Sequence, residues 1–234
     1  MTKHGVRVSV LNVCDVFIVF IWAILLAAAP VFGQDYVNDE FHFAMTFPPG
    51  QGWGAPDIRT ASSGTLMKPQ RLVLVASRNT GEKVTVQVVD VGDGVSLDDA
   101  AYREGFRNGT LKSFPPTLRM ASEHVATFAG VPSYELVVGG TIQEVPINLR
   151  MVAVVANRLQ YNISGYSSQA SSLTDGELAN VLSTFHFTEP PQLPGSNANL
   201  RSAGELAGRL AAYAAMAIVV SLVMWRVFRR RKTT

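Results

Sequence analysis

Along this chain the apolar residues follow two kinds of pattern. Two runs are apolar almost without a break, at residues 16–29 and 210–228, and between them apolar positions alternate with polar ones. A period of two turns one face of an extended segment toward a core and the other away from it. Segments 41–47, 71–77, 83–91, 118–127, 133–139, 148–156 and 158–166 read in this way as strands. Turn residues stand between several of them. Asn79-Thr80-Gly81-Glu82 closes a hairpin, Ala129-Gly130-Val131-Pro132 turns the chain back before Ser133, and another reversal falls at Asn157-Arg158.

Two stretches change the period. Ser96 is the expected N-cap of a helix, with Asp99 three residues on as an acidic variant of the capping box. Asp98 and Asp99 suit the positive end of its dipole, and Tyr102 and Phe106 share one buried face. Gly109 weakens its end and Pro115-Pro116 stop it. Thr174 is expected to cap a second, short helix, whose apolar face is Leu178, Val181, Leu182 and Phe185. Many strands and two helices predict an α+β fold built on an antiparallel sheet.

The terminal runs read differently. Lys3 and Arg7, the apolar residues 16–29, Pro30 and then Val31-Phe32-Gly33 have the three parts of a secretory signal, with cleavage expected before Gln34. An uncleaved anchor is the alternative. From Leu210 to Trp225 no residue is charged, and letting Arg226 snorkel extends the apolar run to Phe228. Those 19 residues would span roughly 28 Å as a helix, close to the hydrocarbon thickness of a bilayer. Trp225 stands where an interfacial aromatic belongs, and Arg229, Arg230, Arg231 and Lys232 predict a cytoplasmic end. A buried core helix seldom runs into four cations, and a cleaved lipid-anchor signal normally ends apolar. The expected organisation is a signal at 1–33, an extracytoplasmic domain at 34–189, a Pro/Ser/Asn-rich stalk at 190–209, a transmembrane helix at 210–228 and a basic tail at 229–234.

Charge sharpens this division. The chain carries +2 overall, yet between Asp35 and Glu205 there are 12 Lys and Arg against 17 Asp and Glu. An acidic domain without a cationic cluster argues against nucleic acid as a partner. The bilayer, through the C-terminal run, and an envelope protein are the expected partners.

Candidate chemistry is sparse. Cys14, the one cysteine, falls in the leader, so the mature chain has no disulfide and no thiol nucleophile. His42, His124 and His186 are 82 and 62 residues apart and belong to no ligand or hydrolase motif. Asp90, Asp93, Asp98 and Asp99 form the densest acid cluster, but their spacing does not fit a calcium loop. No catalytic residue, cofactor or metal ligand is therefore expected. Asn108 and Asn162 head glycosylation sequons, the second within an expected core strand. Leu193-Pro194-Gly195-Ser196-Asn197 faintly resembles a sortase signal but departs from it at its last two positions. Trp53, set among glycines and prolines, has two readings: an exposed anchor for a partner, or a ring folded back to plug one end of the sheet. The second is the expectation, since large aromatics are buried on average.

Four phrases together resemble one family. Residues 43–53 are similar to the opening of PsbP-like domains, and Gly130-Val131-Pro132-Ser133-Tyr134-Glu135-Leu136 is similar to their central hairpin. Residues 157–165 resemble their core strand, and Leu182-Ser183-Thr184-Phe185-His186-Phe187 their closing helix and strand. The resemblance covers residues 41–187. It implies an antiparallel sheet sandwiched by helices, in a family that includes an extrinsic lumenal photosystem II subunit, a Ran-binding import factor and many bacterial envelope proteins. Such members work largely by binding proteins, which implies a non-enzymatic interaction module. A ligand-binding or hydrolytic domain using facing carboxylates is the competing expectation, and a cleft lined by acids would favour it.

Overall fold

The computed structural model describes residues 34–56, 70–193, 204 and 207–212. Among the described residues nine strands form two antiparallel sheets. The larger has the order β3-β4-β8-β7-β6-β5, with β3 Gln70–Ser77, β4 Lys83–Asp90, β5 Leu118–Phe128, β6 Val131–Ile142, β7 Val145–Ala156 and β8 Leu159–Ser167. The smaller has the order β1-β2-β9, with β1 Gln34–Asn38, β2 Phe43–Phe47 and β9 His186–Phe187. The helices are α1, Ala100–Ser113, and α2, Glu177–Ser183, with a 3₁₀ turn at Ala170–Leu173.

Tight turns set the order of the large sheet. Ala129-Gly130, Gln143-Glu144 and Asn157-Arg158 all have positive φ, between 48° and 79°. Two consecutive residues in that region match the right-handed twist of the flanking strands, so β5 to β8 follow one another as neighbours. β4 then pairs with β8 from Lys83↔Tyr166 to Asp90↔Leu159.

Alternation along each strand feeds two cores, one on each face. On the first face Val84, Val86 and Val88 of β4 and Tyr161 and Ile163 of β8 meet the small sheet and α2. Phe43, Tyr161, Phe185 and Phe187 form an aromatic cluster there, with centroids 5.3–6.2 Å apart. On the second face Leu136, Leu149, Met151 and Val155 meet Tyr102 and Phe106 of α1. Ala207, Ala211 and Ala212 of a C-terminal helical segment join the same core.

Several expected boundaries shift. The N-cap of α1 is Asp99, whose Oδ1 accepts from the backbone N–H of Ala101 at 2.7 Å and Tyr102 at 3.2 Å. Ser96 instead accepts from the Asp98 N–H and heads the turn before the helix. The end of α1 is where Pro115-Pro116 place it: the helix runs through Gly109, which is buried on the packed face, to Ser113. Thr174 flanks the 3₁₀ turn, and α2 starts behind Gly176. His42 lies just outside β2 with φ 51°, so the strand begins at Phe43.

The expected stalk at 190–209 also differs where it is described. Gln192 exchanges two bonds with Asn157, of 2.7 and 2.8 Å, which tie the chain back to the β7–β8 turn. Gly204 and residues 207–212 are helical, and all of them but Arg209 that carry described side chains are buried. Pro, Ser and Asn content marks solvated backbone, but Gly204, Ala207, Gly208 and Ala211 allow a close helix crossing that composition does not register. Leu210, the expected first residue of the membrane span, is 6% exposed within this segment. Among the described residues no helix is long and apolar enough to cross a membrane. Trp225, Arg226, Phe228, Arg229, Arg230, Arg231 and Lys232 lie outside the described residues, as does the signal at 1–33.

Candidate functional site

Three places on the domain gather polar or exposed groups that the packing alone does not need. The first is the end of the sheet that holds Trp53. Its backbone bridges Arg78, Gly54 N–H donates to the Ser77 carbonyl at 2.9 Å, and Asn79 N–H donates to the Gly52 carbonyl at 2.9 Å. Gly52 has φ 78°, a conformation that a side chain would strain. The half-buried indole lies 5.5 Å from the Phe47 ring, at 56°. Arg78 fastens the loop, donating to the Gln51 carbonyl at 2.7 Å and to Glu82 at 2.6 Å, and forms an ion pair with Glu177 of α2. Trp53 therefore packs at the sheet end, with part of its ring open.

The second is a polar floor on the second face of the large sheet. Thr85, Gln87, Gln160, Asn162 and Ser164 alternate with the first-core residues of β4 and β8, and each is at most 7% exposed. Tyr102 Oη donates to Gln160, and Gln160 Nε2 donates to Asn162 Oδ1 at 2.5 Å. Burial of Tyr102 pushes its pKa well up, so the hydroxyl stays a donor. Gln87 and Asn162 are cross-strand partners, yet among the described residues Gln87 Oε1 and Asn162 Nδ2 have no hydrogen-bond partner. The period-two pattern assigned no layer to the polar phase of either strand, so this floor was not expected. A signal was available: Gln, Asn, Ser and Thr occupy that phase where a solvated face would carry charges.

The third is the edge formed by β5. It ends the large sheet, and residues 119–125 are all exposed. Val125 is 51% and Met120 36% exposed, and the register shifts between Met120 and Ser122. Behind the edge stand paired charges. Arg150 grips Glu135 with two bonds of 2.8 and 2.9 Å, and His124 lies 3.6 Å from the same carboxylate. Glu123 accepts from Tyr134 and lies 3.3 Å from Arg107. Burial, then the Glu123 carboxylate, pushes the Tyr134 phenol well up.

The acids singled out in the sequence do not converge. Asp90 accepts from Gly92 N–H, Asp93 pairs with Arg158 at 3.2 Å, and Asp99 caps α1. Among the described residues no group of three or more His, Cys, Asp or Glu is placed to hold a metal. The histidines stay apart: His42 lies 3.4 Å from Glu189, His124 faces Glu135, and His186 Nδ1 is 2.9 Å from the Thr184 carbonyl. Asn162, of the second sequon, is buried in β8.

No protein-family model and no curated protein matches the chain. Solved structures do. The solution structure of cyanobacterial PsbP (CyanoP) from Synechocystis sp. PCC 6803 is 14% identical, with a TM-score of 0.50, and the match covers 68% of this chain and 95% of that one. The crystal structure of LpqN, involved in cell envelope biogenesis of Mycobacterium tuberculosis, is 13% identical, with a TM-score of 0.42 over 71% of this chain and 96% of that one. The domain has the PsbP-like fold.

Proposed function

We propose that this protein is a non-enzymatic accessory module of the cell envelope, held at the outer face of a membrane by its C-terminal run, that binds an envelope protein along β5. The observation that carries this reading is the open edge. An exposed strand of 11 residues is a template for pairing with another chain. β3, at the opposite edge, is less exposed than β5, with Val73, Leu74 and Ala76 at 1% exposure or less. An extended partner segment added beside β5 gains main-chain hydrogen bonds, while Met120 and Val125 offer it apolar contact. The carboxylates at the edge support binding over hydrolysis, because Glu135 and Glu123 are each paired with an arginine. The leader at 1–33 and the run at 210–228 support the location.

Photo-cross-linking in the native host tests this. A photoreactive residue in place of Val125 is expected to capture one reproducible envelope protein, and Met120→Lys with Val125→Lys is expected to abolish that capture. Surface changes of this kind shift stability by only about 0.5 kcal/mol. Capture from an exposed site remote from the edge, such as Val37, with none from Val125, would refute the edge; no capture from any site would refute the binding role.

A further inference from the structure

The C-terminal helical segment occupies a place in the domain that the apolar run behind it also needs. Its grip on α1 is close. A Cβ at Gly204 would stand 2.2 Å from the Tyr102 carbonyl oxygen, and one at Gly208 would stand 1.8 Å from that of Phe106. Thr110 Oγ1 donates to the Gly208 carbonyl at 3.1 Å. The segment packs Ala207, Ala211 and Ala212 into the second core, while the bond from Gln87 Nε2 to the Leu210 carbonyl is 3.5 Å, at the outer limit for a hydrogen bond. Beneath it Gln87 Oε1 and Asn162 Nδ2, on side chains of residues 2% exposed, have no hydrogen-bond partner among the described residues. Buried groups left this way oppose the docked arrangement, and water would satisfy them on release.

The membrane makes an opposing claim. With residues 207–212 docked, 16 residues remain from Tyr213 to Phe228, or about 24 Å as a helix. A bilayer core is about 30 Å thick. Releasing Leu210, Ala211 and Ala212 restores a run of 19 residues, about 28 Å, and sets Arg209 at the outer interface, where it can snorkel.

We propose that residues 207–212 are a latch with two seats, the floor of the domain and the outer end of the membrane span, and that bilayer thickness selects between them. In thin bilayers the latch is docked and the amide floor is closed. In thick bilayers the span draws it away and opens Gln87, Gln160 and Asn162 to water. The inference rests on the membrane-anchor reading proposed above, and its test separates the two.

The full chain carrying Cys14→Ser and Thr110→Cys is reconstituted in vesicles of dimyristoyl or dierucoyl phosphatidylcholine and exposed to a water-soluble maleimide. Thr110 is fully buried beneath Gly208, so its substitute reports the latch. Labelling is expected to be about tenfold faster in the thicker bilayer, the scale set by a mismatch of a few ångströms. Adding Gly208→Leu is expected to make labelling fast in both. Equally slow labelling in a chain that resists carbonate extraction overturns the latch and leaves the anchor standing. A chain that carbonate strips from both vesicles overturns the anchor and the latch together. If Thr110→Cys loses its circular dichroism, hydrogen exchange of the α1 amides in the unaltered chain makes the same comparison, with the same two outcomes deciding it.

Discussion

Glu82 is a buried carboxylate kept charged by its neighbours. Burial alone would push its pKa up, but hydrogen bonds from Arg78, Ser172 and Thr80 and the Arg78 charge outweigh it and hold the group below the ordinary glutamate value. A carboxylate with a depressed folded pKa adds stability above its unfolded pKa, near 4.3, and loses that contribution as pH falls through the folded value. Glu82→Gln is therefore expected to lower the melting temperature at neutral pH, by the equivalent of about 1.5–3 kcal/mol for a hydrogen bond to a charged group. Thermal melts from neutral to acidic pH should show the gap to the parent closing below about pH 4. A gap that stays constant would mean that packing, not charge, sets the cost. The same contacts hold Arg78 against the Gln51 carbonyl, so the position of Trp53 depends on them.

Among the described turns, the β6–β7 hairpin is the one in which neither residue is of a kind that favours positive φ. Gln143 and Glu144 have φ 48° and 64°, and both are exposed. The neighbouring turn at Ala129-Gly130 uses a glycine for the second position, whereas this one holds a branched-off side chain in a region costing about 1–2 kcal/mol. Glu144→Gly is expected to raise stability by about 0.5–1 kcal/mol after the added freedom of the unfolded glycine is deducted. For a domain of this size that is a rise of about 1–4 °C in a calorimetric scan. Glu144→Ala relieves no backbone strain and should leave the melting temperature unchanged; an equal rise would show that charge removal was responsible.

For the whole molecule, the proposed location rests on where the cations stand. Lys3 and Arg7 precede the first apolar run, and the +5 cluster from Arg226 to Lys232 follows the second. Under the positive-inside rule the proposed anchor would keep both ends in the cytoplasm at insertion, with the domain facing outward. A reporter fused after Thr234 is expected to be active only in the cytoplasm, while protease added outside cleaves the domain. Neutralising Arg229, Arg230, Arg231 and Lys232 should weaken that orientation. An outward-facing reporter in the parent chain would overturn both the anchor and the latch that depends on it.

Local pattern determined much of this protein. Period-two runs marked seven of the nine strands, because alternation is a property of each strand by itself. Asn157-Arg158 and Asn79 to Glu82 were legible as turns for a similar reason, and short phrases pointed to the PsbP-like fold that the structure has. What lies over the polar phase of β4 and β8 was not legible. Alternation says that one side of a strand is apolar; it does not say whether the other side meets water or another layer. Only the tertiary structure decided that α1 and residues 207–212 cover Gln87, Gln160 and Asn162, because that contact joins segments 123 residues apart in the Gln87–Leu210 bond. It likewise decided that β5 stands at an edge and that Gly204 and Gly208 serve a helix crossing, since strand order and helix contact are relations between elements, and no single stretch of the chain encodes them.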